Sequence, residues 1–291
     1  MNKPLSKTQL KQQLSVNCRA LVQAAKDNNV SELTRLIDVA DCSYNDCLAF
    51  RMAAKHGAFE CLQLLAPHSV INCKNSIALR RAAEVGHMEM IEFLLPHCDP
   101  TAQYSEALTN TIRHGHWDAF ERLLPLCDPK SQRSHALSVA AVHGRLDFLK
   151  KLIPLCDVDA SGAIGMAAHH GHAECLKELI PYCDLHREDS NLWEWTLDSY
   201  KPEIVRILLP HFNPNAHNHK AIIMASKHRD EEMVEQLFAG CDQRQLIEDM
   251  HNSGVEYHDL QLIRDQFAWI QKQVLEQSLN DATAAPHRRK L

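Results

Sequence analysis

The residues of this chain best suited to chemistry are its 19 histidines and 11 cysteines. Imidazole is concentrated in two stretches, His114-Gly115-His116 and His169-His170-Gly171-His172. Imidazole nitrogen and thiolate sulfur are the usual ligands of zinc. One hypothesis is therefore a small metal or ligand site, for example among His169, His170 and Cys175.

The spacing of other residues indicates that most of these side chains belong to a repeating framework. Six prolines recur at intervals of 29, 29, 29, 27 and 29 residues: Pro67, Pro96, Pro125, Pro154, Pro181 and Pro210. Glycines, serines and cysteines form columns in the same register: Gly57, Gly86, Gly115, Gly144 and Gly171; Ser76, Ser105, Ser134, Ser161 and Ser190; Cys98, Cys127, Cys156, Cys183 and Cys241. Such columns are typical of a tandem repeat.

Each unit reads as helix, turn, helix and loop. Ser105 is predicted to cap a first helix with its hydroxyl, and Gly115 to end that helix in a left-handed conformation. The second helix is predicted to begin at about Trp117 and to stop at Pro125, which lacks an N–H group. Apolar residues at helical spacing would face the neighbouring units.

The histidines follow the same register, either just before or just after the turn glycine. We predict structural roles for them, and those that precede the glycine lie at the end of the first helix, where a partly positive imidazole is favoured; the alternatives are a pH-responsive edge and the metal site. Stacked helices lie ~8–10 Å apart and a disulfide needs Cα atoms within ~7 Å. The column cysteines are therefore predicted to be unpaired, small buried hydrophobes.

The string Ala78-Leu79-x-x-Ala82-Ala83-x-x-Gly86-His87, followed by Ile91-x-x-Leu94-Leu95, resembles the ankyrin repeat. The resemblance covers roughly residues 20–242 and implies an all-α fold, an ankyrin-like helix-turn-helix repeat solenoid. The period of 29 departs from the family's usual ~33, so the projecting β-hairpin fingers are expected to be shortened.

The predicted organisation has four parts: an N-terminal capping segment (1–17), about eight ankyrin-like repeats (18–242), C-terminal capping helices (243–279) and a disordered tail (280–291). Asn28, Tyr200 and Arg229 occupy turn-glycine positions. Asparagine tolerates left-handed angles, whereas the turns at Tyr200 and Arg229 are expected to be built differently.

Composition narrows the function classes. A formal net charge of −6 without a basic stripe gives no reason to expect nucleic acid, and no apolar run predicts membrane insertion or a secretory signal. No phosphate loop, zinc-protease helix, nucleophile elbow or EF-hand loop is present. We therefore expect a non-enzymatic chain without cofactor, in the cytoplasm, or in a host cytosol if it is a translocated effector.

Exposed positions of the first helices would form a column on the concave face, the surface that ankyrin-like proteins generally use for binding. The column runs through Gln23, Met52, Arg81, Asn110, Val139, Met166, Trp195 and Met224. The predicted partner-binding residues within it are Met52, Arg81, Asn110, Met166, Trp195 and Met224, because Trp, Met and Arg are enriched in interfaces. Trp193 is assigned to the core, and for Trp195 a core role is an equal alternative. Loop residues form a second set of candidates: Tyr104, Gln132, Arg133, Glu188 and Asp189.

The resulting hypothesis is a protein–protein interaction module that is monomeric when free and binds a folded protein partner, as an inhibitor or a bacterial effector. The alternative is a small-ligand or metal-binding, possibly catalytic, site within the repeats.

Overall fold

The computed structural model describes residues 7–185, 192–212 and 216–238, together with the single positions 265, 268 and 272. Within these residues the chain forms 17 α-helices and no strand. The helices fall in two compact units, residues Met1–Met166 and Ala167–Leu291. The predicted all-α repeat architecture is confirmed.

The helices of residues 7–170 are as follows: α1 (Lys7–Lys26), α2 (Val30–Ile37), α3 (Tyr44–His56), α4 (Phe59–Leu65), α5 (Cys73–Val85), α6 (Met88–Leu94), α7 (Ala102–His114), α8 (Trp117–Leu123), α9 (Ser131–Val142), α10 (Leu146–Leu152), α11 (Val158–Ser161) and α12 (Ala163–His170). In the first unit the first helices of the repeats pack in chain order, α1 on α3, α3 on α5, α5 on α7 and α7 on α9. The second helices pack in the same sequence, α2 on α4 and α6 on α8.

The helices of the second unit that follow α12 are these: α13 (Ala173–Leu179), α14 (Leu192–Ser199), α15 (Pro202–Leu208), α16 (Ala216–Lys227) and α17 (Glu231–Phe238). Here α13 packs on α15, α14 on α15 and α16, and α16 on α17. Trp193 is buried, and its ring stacks on Phe212 with 5.1 Å between centroids. Its assignment to the core is confirmed.

The core repeats with the sequence. In the repeat formed by α5 and α6, five residues are 0% exposed: Leu79, Ala82 and Ala83 on the first helix, and Ile91 and Leu94 on the second. The alanine pair has little bulk, so the helices that flank it can approach closely, and the leucines fill the space between the two layers. No single repeat could bury this apolar face without the repeats on either side of it.

The repeated prolines lie just beyond the second helices. Each lies within a single 3-10 turn that extends the helix, such as Leu95–His97 after α6 and Leu124–Leu126 after α8. The missing N–H costs nothing there, because the first N–H groups of a helical turn have no partner within it. The predicted end of the regular α-helix at these positions is confirmed.

The turn residues between the paired helices are left-handed, as the glycine column predicts. Gly57, Gly86 and Gly115 have φ of 71°, 74° and 80°. Asn28 has φ of 49° and Arg229 of 56°, whereas Tyr200 is at 21°. The expectation of a different turn at Arg229 is therefore wrong. The bond from the Asp230 N–H to the Ala225 carbonyl, 2.9 Å long, closes this turn as it closes the glycine turns.

The predicted domain ends are only partly visible. Helix α1 is continuous from Lys7 to Lys26 and so crosses the predicted limit between residues 17 and 18. The predicted C-terminal capping helices (243–279) and tail (280–291) lie outside the described residues, apart from the three single positions.

Candidate partner-binding surface

The serine column joins successive repeats. Ser76, Ser105 and Ser134 are buried, and each hydroxyl accepts a hydrogen bond from a backbone N–H 23 residues further along the chain. The donors are Asp99, Asp128 and Asp157, each at 2.9 Å. The prediction that these serines cap their own helices is wrong, because each hydroxyl accepts from the next repeat instead. Each serine is the last of three left-handed residues, and the right-handed part of its helix begins just after it.

Two cysteines continue this column toward the N-terminus. The sulfur of Cys18 accepts from the Asp41 N–H, and that of Cys47 from the Val70 N–H, both at 3.4 Å. The spacing is again 23 residues. The column therefore requires a small acceptor rather than serine itself.

The second cysteine column also joins repeats. The thiols of Cys98, Cys127 and Cys156 donate to the carbonyls of Ile71, Pro100 and Pro129 in the preceding loop, at 3.8, 3.3 and 3.4 Å. Burial raises the pKa of these thiols to about 11, 12 and 11 respectively. They therefore stay protonated at neutral pH and can act as donors.

The ten cysteines that the structure describes are free, as the helix spacing predicts. The further prediction of small buried hydrophobes needs correction, since Cys127, Cys156 and Cys183 are only half-buried and the thiols of Cys127 and Cys156 are hydrogen-bonded. Cys241 lies outside the described residues.

The aspartates that follow the column cysteines shape the next turn. Asp99 Oδ1 accepts from the backbone N–H and the hydroxyl of Thr101, at 2.9 and 2.7 Å. Asp128 Oδ1 accepts in the same way from the Lys130 N–H at 3.0 Å. Each aspartate thus links two repeats, through its N–H to the preceding serine and through its carboxylate to its own turn.

Histidines contact the helix ends. The Nε2–H of His116 donates to the Glu84 carbonyl, 3.0 Å away, in the last turn of α5. His87 Nδ1 accepts from the Met90 N–H and so caps α6. Lys201, at the same repeat position in the second unit, donates to the His169 carbonyl. The contacts of His87 and His116 agree with the predicted structural roles, and the charge expected on the histidines that precede the turn glycine stays a prediction.

His169, His170 and Cys175 are the residues of the alternative hypothesis, a metal or ligand site. The rings of His169 and His170 meet edge to face with 5.2 Å between centroids. Cys175 is buried, and burial raises the pKa of its thiol. Among the residues that the structure describes, no group of three or more His, Cys, Asp or Glu side chains is arranged to hold a metal ion.

The predicted concave column differs in exposure from repeat to repeat. Met52, Arg81 and Met224 are half-buried, and Met166 is 41% exposed. The prediction treats Asn110 as exposed, but it is 3% exposed, because its amide donates to the Arg80 carbonyl on the neighbouring helix at 3.1 Å. Val139, in the same column, is 5% exposed.

The structure describes some of the remaining candidate binding residues and leaves others out. Trp195 lies in α14, but its side chain is outside the described part of the chain, as are Glu188 and Asp189 entirely. Of the loop candidates that are described, Tyr104 is 64% exposed, and Gln132 and Arg133 are also exposed. All three have left-handed backbone angles, which the sequence analysis did not anticipate.

Comparison with known proteins agrees with this geometry. The family model for ankyrin repeats matches residues 21–104, 79–162 and 164–246. The chain belongs to the ankyrin-repeat family. A crystal structure of the human ASB11 ankyrin repeat domain superposes with a TM-score of 0.52 at 20% sequence identity, covering 67% of this chain and 99% of that one. This likeness shows the fold.

No curated protein matches the sequence. Within the described residues, no helix has both the length and the apolar character needed to cross a bilayer. Ankyrin repeats are generally protein–protein interaction modules, and protein binding is therefore the general role that family membership supports.

Proposed function

We propose that this ankyrin-repeat chain is a non-enzymatic binding module that recognises a folded protein through the first-helix column. The observation that supports the proposal is the exposure of this repeat position outside the covered Asn110 and Val139. Met52, Arg81 and Met224 are half-buried and Met166 is 41% exposed, whereas four alanines on the same helices are 0% exposed: Ala53, Ala82, Ala167 and Ala225. Methionine adapts to irregular partner surfaces, and arginine is common at interface hot spots.

The finer roles in this proposal are those of an inhibitor or of an effector that acts in a host cytosol. Both need only a rigid surface that occupies a partner, and nothing in them requires a catalytic group. A monomer whose first-helix column is accessible to the partner would satisfy either role.

The test is capture of partners from a native lysate by the intact chain and by a column variant that carries Met166→Ala, Trp195→Ala and Met224→Ala. A matched control carries Leu126→Ala and Leu155→Ala, two residues that are each 39% exposed but lie outside the column. Circular dichroism checks that all three proteins are folded.

We expect a partner that the intact chain and the control retain and that the column variant loses. With that partner, Trp195→Ala should weaken binding by more than about 1 kcal/mol. Equal capture by the column variant and the control would contradict the proposed surface.

A further inference from the structure

Four turns of the first unit, each a kink within the first residues of α3, α5, α7 or α9, have an unusual backbone. Each has three consecutive residues in the left-handed helical region, with φ between 47° and 62°, and none of the twelve residues is glycine. We call these turns the turn row: residues 45–47, 74–76, 103–105 and 132–134. Left-handed helical angles cost roughly 1–2 kcal/mol per non-glycine residue, so the surrounding structure must hold them in place.

Specific contacts hold the turns. The guanidinium of Arg51, a side chain that is largely buried, donates to the carbonyls of Asn45 and Asp46 at 2.7 and 2.9 Å. Arg80, one repeat later, donates to the Lys74 carbonyl at 3.1 Å. The third residue of each turn is the serine or cysteine that accepts the N–H from the next repeat. The turns are therefore fixed before any partner arrives.

Adjacent turns contact each other. Lys74 Nζ lies 2.8 Å from Asp46 Oδ2, which joins the first turn to the second. The Ser131 hydroxyl donates to the Tyr104 carbonyl at 2.8 Å, which joins the third turn to the segment that leads into the fourth. Between the second and third turns is an open cavity of about 580 Å³, with Asn72, Asn75, Ser76, Asp99, Thr101, Ala102, Gln103 and Tyr104 as its lining.

The turn row presents the same kind of polar group in every repeat. One of the first two residues of each turn is an exposed amide side chain: Asn45, Asn75, Gln103 and Gln132. A side-chain amide has both donors and an acceptor, which is the complement of a peptide group. The Tyr104 ring is 64% exposed and lies beside the cavity.

The spacing of the turns fits one form of ligand. Packed helices lie ~8–10 Å apart, and an extended or polyproline-type chain rises ~3.1–3.4 Å per residue. Three residues of such a chain therefore cover about one repeat. A chain laid along the row would bring an equivalent peptide group to each amide.

We propose that the turn row binds an extended segment of polypeptide, whose main chain is hydrogen-bonded by the turn amides and one of whose side chains packs on Tyr104. This proposal rests on the protein-binding function proposed above, and it names a second surface and the form of ligand that this surface takes.

The test uses a display library of random linear 12-residue peptides, selected on the intact chain. Peptides are then measured by fluorescence anisotropy against a turn variant (Asn75→Ala, Gln103→Ala, Tyr104→Ala), against the single variant Tyr104→Ala, and against a helix-column variant (Met52→Ala, Met166→Ala). The single variant removes only an exposed side chain, so it keeps the test valid if the triple variant does not fold.

We expect about a tenfold or greater loss of affinity in the turn variant, a smaller loss for Tyr104→Ala, and no change in the helix-column variant. N-methylation of the peptide at every third main-chain nitrogen should also weaken binding. The proposal is overturned if no linear peptide binds with a dissociation constant below about 0.1 mM, or if the selected peptides bind the folded single variant unchanged. Loss of a folded partner by the column variant in the earlier experiment would still support the general function.

Discussion

At the scale of the residue, one small acceptor atom decides how a repeat is joined to the next. Positions 18, 47, 76, 105 and 134 hold Cys, Cys, Ser, Ser and Ser, and all five accept the N–H found 23 residues later. Sulfur is a larger and weaker acceptor than oxygen, and its bonds here are longer, 3.4 Å against 2.9 Å. The two residue types are therefore interchangeable in role.

Replacement of Ser105 tests this role. Ser105→Ala leaves the partly buried Asp128 N–H without its partner, and we expect a loss of about 0.5–1.5 kcal/mol in the free energy of unfolding. Ser105→Cys restores an acceptor of the kind used at position 47 and should lose less. Urea denaturation followed by circular dichroism measures both, and equal losses for Ala and Cys would show that only packing is at stake.

At the scale of the helix pair, the turn glycine meets two demands. Its left-handed φ disfavours residues that have a side chain. The space around it is also limited, because the residue that follows the turn glycine of the next repeat lies directly over it. A Cβ on Gly86 would come within 2.4 Å of the His116 ring, and one on Gly115 within 2.9 Å of the Arg145 guanidinium. Gly162 has φ of 65° but no neighbouring atom within 4 Å of such a Cβ.

This difference allows a matched comparison. Gly162→Ala should cost only the left-handed strain, about 1–2 kcal/mol, whereas Gly86→Ala adds the displacement of His116 and should cost more. Thermal unfolding of the two variants gives the comparison. In a His116→Ala background, Gly86→Ala should cost only the left-handed strain, and an unchanged excess there would contradict the steric explanation.

The histidines at the end of α12 form another local group. Partial desolvation of this exposed ring, followed by the nearby His169, His172 and Lys201, lowers the pKa of His170 from its usual value. A histidine with a lowered folded pKa binds its proton more readily in the unfolded chain, so its contribution to stability is lost as pH falls below about 6.5.

We expect His169→Gln to raise the pKa of His170, because it removes one of the neighbouring positive groups. An NMR titration of the His170 ring protons in both proteins measures the change. A His170 pKa that stays the same, or falls, in the variant would contradict the proposed repulsion.

At the scale of the whole molecule, the hydrogen bonds between repeats that the structure describes in residues 7–166 join each repeat to its neighbour. The serine bonds span 23 residues and the cysteine bonds 27. The stability of such an array is approximately the sum of the stabilities of the single repeats and of the interfaces between neighbouring repeats. The loss of one hydrogen bond between two repeats should therefore destabilise mainly those two repeats.

Hydrogen exchange of Ser105→Ala tests this locality. We expect faster exchange in peptides from residues 102–142, the two repeats that flank the lost bond, and little change in residues 18–65. Mass spectrometry of the variant and of the intact chain provides the map. Uniformly faster exchange across the first unit would instead indicate a single cooperative block.

The sequence by itself determined the repeat, the order of its helices and most of its core. The glycine column predicted the left-handed turns, the alanine and leucine positions predicted the buried faces, and Pro125 predicted the end of a regular helix. These succeed because they depend on local chain conformation and on helical periodicity, which each unit carries within its own residues.

Tertiary structure decided the junctions and the exposure of the candidate site. Ser105 has the composition of a helix cap, but its partner is in the next repeat and appears only when the repeats stack. The left-handed angles at Gln103 and Tyr104 contradict local preference, and the next repeat contacts this turn through the Ser131 hydroxyl on the Tyr104 carbonyl and the Asp128 N–H on Ser105. Likewise the neighbouring helix buries Asn110 while Met166 stays exposed, because access to a side chain depends on the atoms that the adjacent repeat places over it.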